Sequence, residues 1–246
     1  VDGKVNIRAD GTAVMADVSK FFGWPLINHL TGSSPWRAVV DVRKRDADVL
    51  VESDLQGVAS PLPEPFSKVA GQKLPLRIER LKPSGGQDQY RITLGKVLEG
   101  LIARRSSGWE RGVVVVGSTD LRLPDKGFAL RIAQPRIDTD LWRSYMPEGS
   151  APAAKSSGGL GIDVVNVKTP QLRLLGRDFN QVDISLRPRD AGWQISLDTR
   201  EAQGELLWRG DGDGAVSGNF KRLTIDAADS GGDVGVGKAK LINSLP

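Results

Sequence analysis

VLVESDLQGVASPLPEPFSK, residues 49–68, sets a strand-like run against a turn and a proline-bracketed corner. Val49, Val51, Ser53 and Leu55 fall on one side of an extended chain and Leu50, Glu52 and Asp54 on the other, the period of two of a strand. Gly57 breaks the run. Leu62 lies between Pro61 and Pro63, and Pro65 follows; each proline fixes its own φ and pushes the residue before it toward extended backbone, so the strand cannot continue. Residues 64–70 read as one or two helical turns, with Pro65 tolerated near the start because its missing N–H is not needed there. By spacing alone the stretch is a corner between two strands.

The same pattern of strand and turn extends outward in both directions. Residues 5–9 and 12–17 read as a hairpin around Asp10-Gly11. Residues 18–30 (VSKFFGWPLINHL) read as at most two helical turns kinked by Pro25, with Phe21, Phe22, Trp24, Leu26, Ile27 and Leu30 plugging a sheet end or, as the alternative, touching lipid. Strands follow at 35–42, 47–53, 74–81 and through Tyr90, Ile92 and Leu94, with Gly95 marking a bulge or an end of pairing. A further strand is read at 97–103. Val113 to Val116 is uninterruptedly apolar, which predicts a strand covered on both faces. Another strand is read at 128–132, then a short helix over 138–146 capped by Asp138 and stopped by Pro147. Residues 148–159 read as a mobile loop inside one architecture spanning 1–246. Strands at 162–168, 171–175, 178–187, 193–199, 204–208 and 215–225 predict an antiparallel meander, and residues 227–237, rich in Asp and Gly, a frayed tail.

Composition supports many strands and tight turns: 246 residues hold 29 glycines and 14 prolines, with aromatics at 6%. No run of about eighteen apolar residues is present, and no basic-then-apolar leader. The chain begins at Val1, which reads as a piece of a longer protein or a processed chain. Absent cysteines exclude disulfides and thiolate metal sites. The formal charge of +4 is spread along the chain, and the short runs at 43–45 and 104–105 have no interleaved aromatics, so they read as solvated strand ends and not as a nucleic-acid surface. Catalytic candidates are few. His29 is the only histidine and lies in the apolar Phe/Trp segment; Asp211-Gly-Asp213-Gly lacks the remaining ligands of a calcium loop, and the glycines of 156–161 lack a following lysine. No catalytic residue, metal or cofactor is expected.

The run ESDLQGVASPLPEPFSKVAGQKLPL, preceded by LTGSSPWRAVVDV at 30–42, resembles the C-terminal part of the YhdP family of AsmA-like proteins of Gram-negative bacteria. The matching pieces are Gly32 with Trp36, the SDLQGV of 53–58, the LPEPFSK of 62–68, and Pro75-Leu76. Phe66 stands where the family usually has leucine. Trp142, Gly192-Trp193 and Gly204 recur more loosely in the expected order. The resemblance implies a mainly β fold: a strongly twisted and curved antiparallel sheet forming an open groove, with a few short helices. It further implies a periplasmic segment of a protein anchored in the inner membrane by a helix N-terminal to this chain, carrying phospholipid toward the outer membrane without catalysis. The expected partners are phospholipid acyl chains and envelope proteins. Combining this fold with the strand alternation nominates Val49, Val51, Leu55, Leu76, Ile78, Ile92, Leu94, Val113, Val115, Leu130, Ile132, Val182, Ile184, Leu186, Ile195 and Leu197 as groove-lining. A rival reading is an adaptor that binds a protein through a sheet edge or the Phe21 to Leu30 cluster. A third, a carbohydrate-active β enzyme, would need two acids facing each other across a cleft.

Overall fold

A computed structural model describes residues 4–22, 25–43, 46–84, 87–105, 108–117, 120–146, 161–189, 192–209 and 215–224. Trp24, the loop expected at 148–159, the Asp211-Gly-Asp213-Gly stretch and the tail expected at 227–237 lie outside the described residues. Among the described residues fifteen strands join one mixed sheet that does not close into a barrel.

The N-terminal half holds β1 (Lys4–Val14), β2 (Thr31–Arg43), β3 (Asp46–Ser53), the short β4 (Val58–Ala59), β5 (Leu76–Ser84), β6 (Gln87–Leu94), β7 (Leu98–Arg105) and β8 (Gly108–Val116). Apart from β4, which pairs with the start of β2, they follow one another antiparallel in chain order. Beyond β8 come β9 (Gly127–Ala133) and β10 (Arg136–Asp138), and then β11 (Ile162–Leu174), β12 (Arg177–Arg189), β13 (Gly192–Asp198), β14 (Ala202–Arg209) and β15 (Ala215–Leu223). From β11 to β15 the antiparallel meander is as expected. Helix α1 (Met15–Phe22) and a 3-10 turn (Pro25–His29) follow β1; helix α2 (Thr139–Trp142) and a second 3-10 turn (Arg143–Tyr145) follow β10. Asp138 caps α2 by accepting from the amides of Asp140 and Leu141.

Several expectations are corrected. The sheet is mixed, because β9 runs parallel to both β8 and β11 and β10 runs parallel to β11. The connection from β8 to β9 crosses the sheet instead of turning back, and its Leu121 and Leu123 pack on Val113, Val115 and Ala129. Asp10-Gly11 is no turn: both sit inside β1, paired with Arg37 and Trp36. A side chain at Gly11 would meet the Trp36 indole at 3.2 Å, so the glycine makes room for that ring. The strands read at 162–168 and 171–175 are one, β11, which ends at Leu174. Residues 64–70 are not helical; Ser60 and Lys68 pair as an isolated bridge, and Phe66 N–H turns back to the Pro63 carbonyl. β3 ends at Ser53, and Leu55 adopts φ 49° in the following turn. Phe21, expected to plug a sheet end, is 83% exposed.

The non-strand elements gather at one end of the sheet. The ends of β1, β3 and β8, the start of β5, and the turn from β11 to β12 all lie there, with α1, α2 and the proline corner. The opposite end carries the ends of β2, β5 and β7 and the starts of β3, β6 and β8.

Candidate functional site: an apolar face across the sheet

Paired residues in a sheet share a face, so the register converts directly into a map of side chains. One row runs Ala9, Ala38, Val51, Ile78, Ile92, Gly100, Val114, Leu130, then Val165, Leu186, Ile195, Leu206, Gly218. Every member is apolar or glycine. At about 4.8 Å per strand this row extends roughly 55–60 Å along the sheet.

Two residues along each strand, a second row on the same face starts at Ser53 and continues through Leu76, Leu94, Leu98, Val116, Ile132, Val167, Ile184, Leu197, Gly204 and Phe220. The row between them points to the opposite face. Its members are Glu52, Arg77, Thr93, Glu99, Val115, Arg131, Asn166, Ser185, Ser196, Glu205 and Asn219. That face is laced with cross-strand polar pairs, among them Glu52 with both Arg37 and Arg77 at 2.9 and 2.8 Å, and Lys168 with Asp183 at 2.9 Å. Such a face is suited to water; the apolar face is not, yet most of its side chains are only half-buried.

The apolar face deepens in its C-terminal half into a cavity of about 700 Å³, within the size range of small-molecule sites. Ile132, Val167, Ile184, Leu197, Leu206 and Phe220 line it, as do the polar Arg177, Asp178, Thr199 and Glu201. Leu172, Leu174 and Phe179 line it too, although plain alternation from Val167 and Ile184 would send them to the other face. Alternation is interrupted where Gln181 takes φ 54° beside Thr169-Pro170. Burial raises the Glu201 pKa, but hydrogen bonds from the Asn180 side chain and amide, each 2.8 Å, win and leave it below the ordinary value.

Of the residues nominated from sequence, Ile132, Ile184, Leu186, Ile195 and Leu197 line the cavity. Val49, Val51, Leu76, Ile78, Ile92, Leu94 and Leu130 lie on the same face beyond it. Val182 shares their register through Thr169 but is 3% exposed and outside the cavity lining. Val113 and Val115 belong to the opposite face, buried under Leu121 and Leu123. Val114 and Val116 take their place, because an uninterrupted valine run carries no parity signal. Leu55 is outside the strand. Leu98, Val165, Val167, Leu206 and Phe220 were missed although their alternation is readable; Phe179 is legible only from the backbone at Gln181.

Near the corner end, Asp140 accepts from the amides of Leu175 and Gly176, both at 2.8 Å, in the turn joining β11 to β12. The Gly176 amide foremost, then that of Leu175 and the charge of Arg173, hold its carboxyl below the ordinary value against desolvation. A depressed folded-state pKa adds stability above the unfolded pKa of about 4 that is lost as pH falls through the folded value. In urea titrations the gap between wild type and Asp140→Asn should therefore narrow from about pH 5 to pH 2; a constant gap would contradict the assignment.

His29 packs edge-on to Tyr145, centroids 5.1 Å apart, with Nε2 3.2 Å from the Tyr145 carbonyl oxygen. Among the described residues no group of three His, Asp or Glu could hold a metal, and no helix is long and apolar enough to cross a membrane. No curated protein and no solved structure matches this chain. The family described as YhdP protein matches it over residues 1–242. With nearly the whole length covered by that match, the chain belongs to the YhdP family.

Proposed function

We propose that the apolar face is a carrier surface for phospholipid acyl chains, in a periplasmic segment of an inner-membrane-anchored protein that moves lipid toward the outer membrane without catalysis. The observation that carries this reading is the pair of apolar rows with a polar row behind them. Transfer of each methylene out of water is worth about 0.8 kcal/mol, so a half-covered apolar face of this length favours a hydrocarbon occupant while head groups stay hydrated at its margins. Membership of the envelope-associated YhdP family, which is not known for enzymatic activity, agrees with it. Envelope proteins are proposed as further partners. The exposed Val5 and Ile7 of edge strand β1 favour, as a second reading, a protein partner that adds a strand there.

Photo-reactive residues separate the two readings. Placed at Ile92 or Leu197 they are expected to crosslink phospholipid, whereas at the adjacent Thr93 or Ser196, which face the other way, they should not. Crosslinks to protein alone, or equal lipid crosslinking from both faces, would overturn the carrier reading.

A further inference from the structure

The geometry points to α2 and its following turn as a latched gate along one margin of the groove. This strap leaves β10 at the edge of the cavity, which Ile137 and Thr139 line, and reaches the proline corner between β3 and β5. Along the sheet, β5 and β11 are five strand steps apart, about 24 Å. The strap nevertheless touches the corner directly: Tyr145 Oη donates to the Pro61 carbonyl at 2.7 Å, and the Trp142 ring meets Phe66 edge-on, centroids 5.9 Å apart. It thus spans the ends of the intervening strands and runs beside the two apolar rows, which cross those strands.

Root and tip are held unequally. At the root, Asp138 caps the helix, Thr139 Oγ1 donates to the Arg173 carbonyl at 2.8 Å, and Asp140 takes two turn amides. At the tip there are the Tyr145 hydroxyl, the His29 contacts and one aromatic pair. No residue of α2 or of its 3-10 turn is buried, and Leu141 is 58% exposed. Releasing the tip therefore withdraws no buried side chain of the strap, while the root stays fixed: the strap is built to swing about residues 138–140. Closed, it obstructs entry of an acyl chain onto the apolar face from this margin; released, it admits one. The gate rests on the carrier reading above.

Uptake of a fluorescent-tailed phosphatidylethanolamine from phosphatidylethanolamine vesicles tests it on the whole chain. Tyr145→Phe removes one net hydrogen bond from the latch and should raise the uptake rate by roughly fivefold. The chain has no cysteine, so Pro61→Cys with Tyr145→Cys can be joined by a short, cleavable bis-maleimide. The joined protein should take up lipid at least about tenfold more slowly and recover on cleavage, with the same final loading. Equal rates before and after cleavage, with lipid still taken up, would overturn the gate and leave the carrier reading intact. Failure of every form, wild type included, to take up lipid would overturn the carrier reading and the gate with it.

Discussion

Replacing Lys68 with alanine is expected to destabilise the protein by about 2–4 kcal/mol, a large loss for a residue type that is ordinarily solvated. Lys68 is only 6% exposed, inside the corner that it closes. Its ammonium donates to the carbonyls of Val58 at 2.7 Å, Leu55 at 2.8 Å and Val69 at 3.3 Å. Its own backbone pairs with Ser60 in both directions, at 2.8 and 3.0 Å. Desolvation pulls its pKa below the ordinary lysine value, and the charge of Asp54 opposes that. Bonds from a charged donor are worth about 1.5–3 kcal/mol net each, and a carbonyl left buried without its donor bears a further desolvation penalty. Lys68→Met keeps most of the stem volume and loses the donors, so it should recover little. Chemical denaturation reads both variants, and a methionine variant within about 0.5 kcal/mol of wild type would show that the carbonyls do not need the ammonium.

What the sequence displayed was periodicity, and what it concealed was parity and direction. Alternation at Val49 and Val51, at Ile92 and Leu94, and at Ile195 and Leu197 was sufficient to place those residues on one face, because a period of two survives in any register. The valine run of β8 could not be placed this way, since every position is apolar and only the packing of Leu121 and Leu123 distinguishes the faces. Parallel pairing of β9 was equally hidden: a ten-residue connection rich in polar residues reads as a loop whether it returns or crosses. Asp10-Gly11 misled because its glycine serves the Trp36 ring and not a turn. The latch between Tyr145 and Pro61 joins residues 84 positions apart, and no local pattern announces a contact of that span.

The residues that carried the family resemblance converge in space, which gives the motif a physical cause. Ser34 is 1% exposed, and its hydroxyl lies 3.1 Å from that of Ser53, which donates to the Pro35 carbonyl at 2.7 Å. Gly57 N–H reaches the Ala70 carbonyl at 2.7 Å, and Leu74 N–H that of Asp54 at 2.7 Å. The Gly-x-x-x-Trp start, the Ser-Asp-Leu stretch and the proline corner are therefore one knot tying β2 and β3 to β5. The knot presents the surface on which the strap latches, so errors in it would propagate to that margin of the groove.

Gly32→Ala is the sharpest probe of that knot, with an expected loss of at least about 3 kcal/mol. Gly32 holds φ +89°, and a Cβ there would stand 2.1 Å from the Gly57 carbonyl oxygen. Gly57 holds φ +100°, and its own Cβ would stand 2.2 Å from the Ser33 carbonyl oxygen. The backbone conformation alone disfavours an L side chain by roughly 1–2 kcal/mol. The obstructing atoms are backbone, fixed by the pairing of Thr31 with Ala59 and of Gly32 with Val58, so they cannot swing aside as a side chain would. Gly57→Ala should cost about as much, and the two changes should fall short of additivity by about 1 kcal/mol or more, because either one alone already forces β4 away from β2. Gly71, where an added methyl would meet no atom within 4 Å and φ is not left-handed, is the control and should shift stability by no more than about 0.5 kcal/mol on substitution with alanine. If Gly32→Ala unfolded at the same urea concentration as Gly71→Ala, the close approach of β2 to the corner would not exist, and the latch it supports would have no fixed seat.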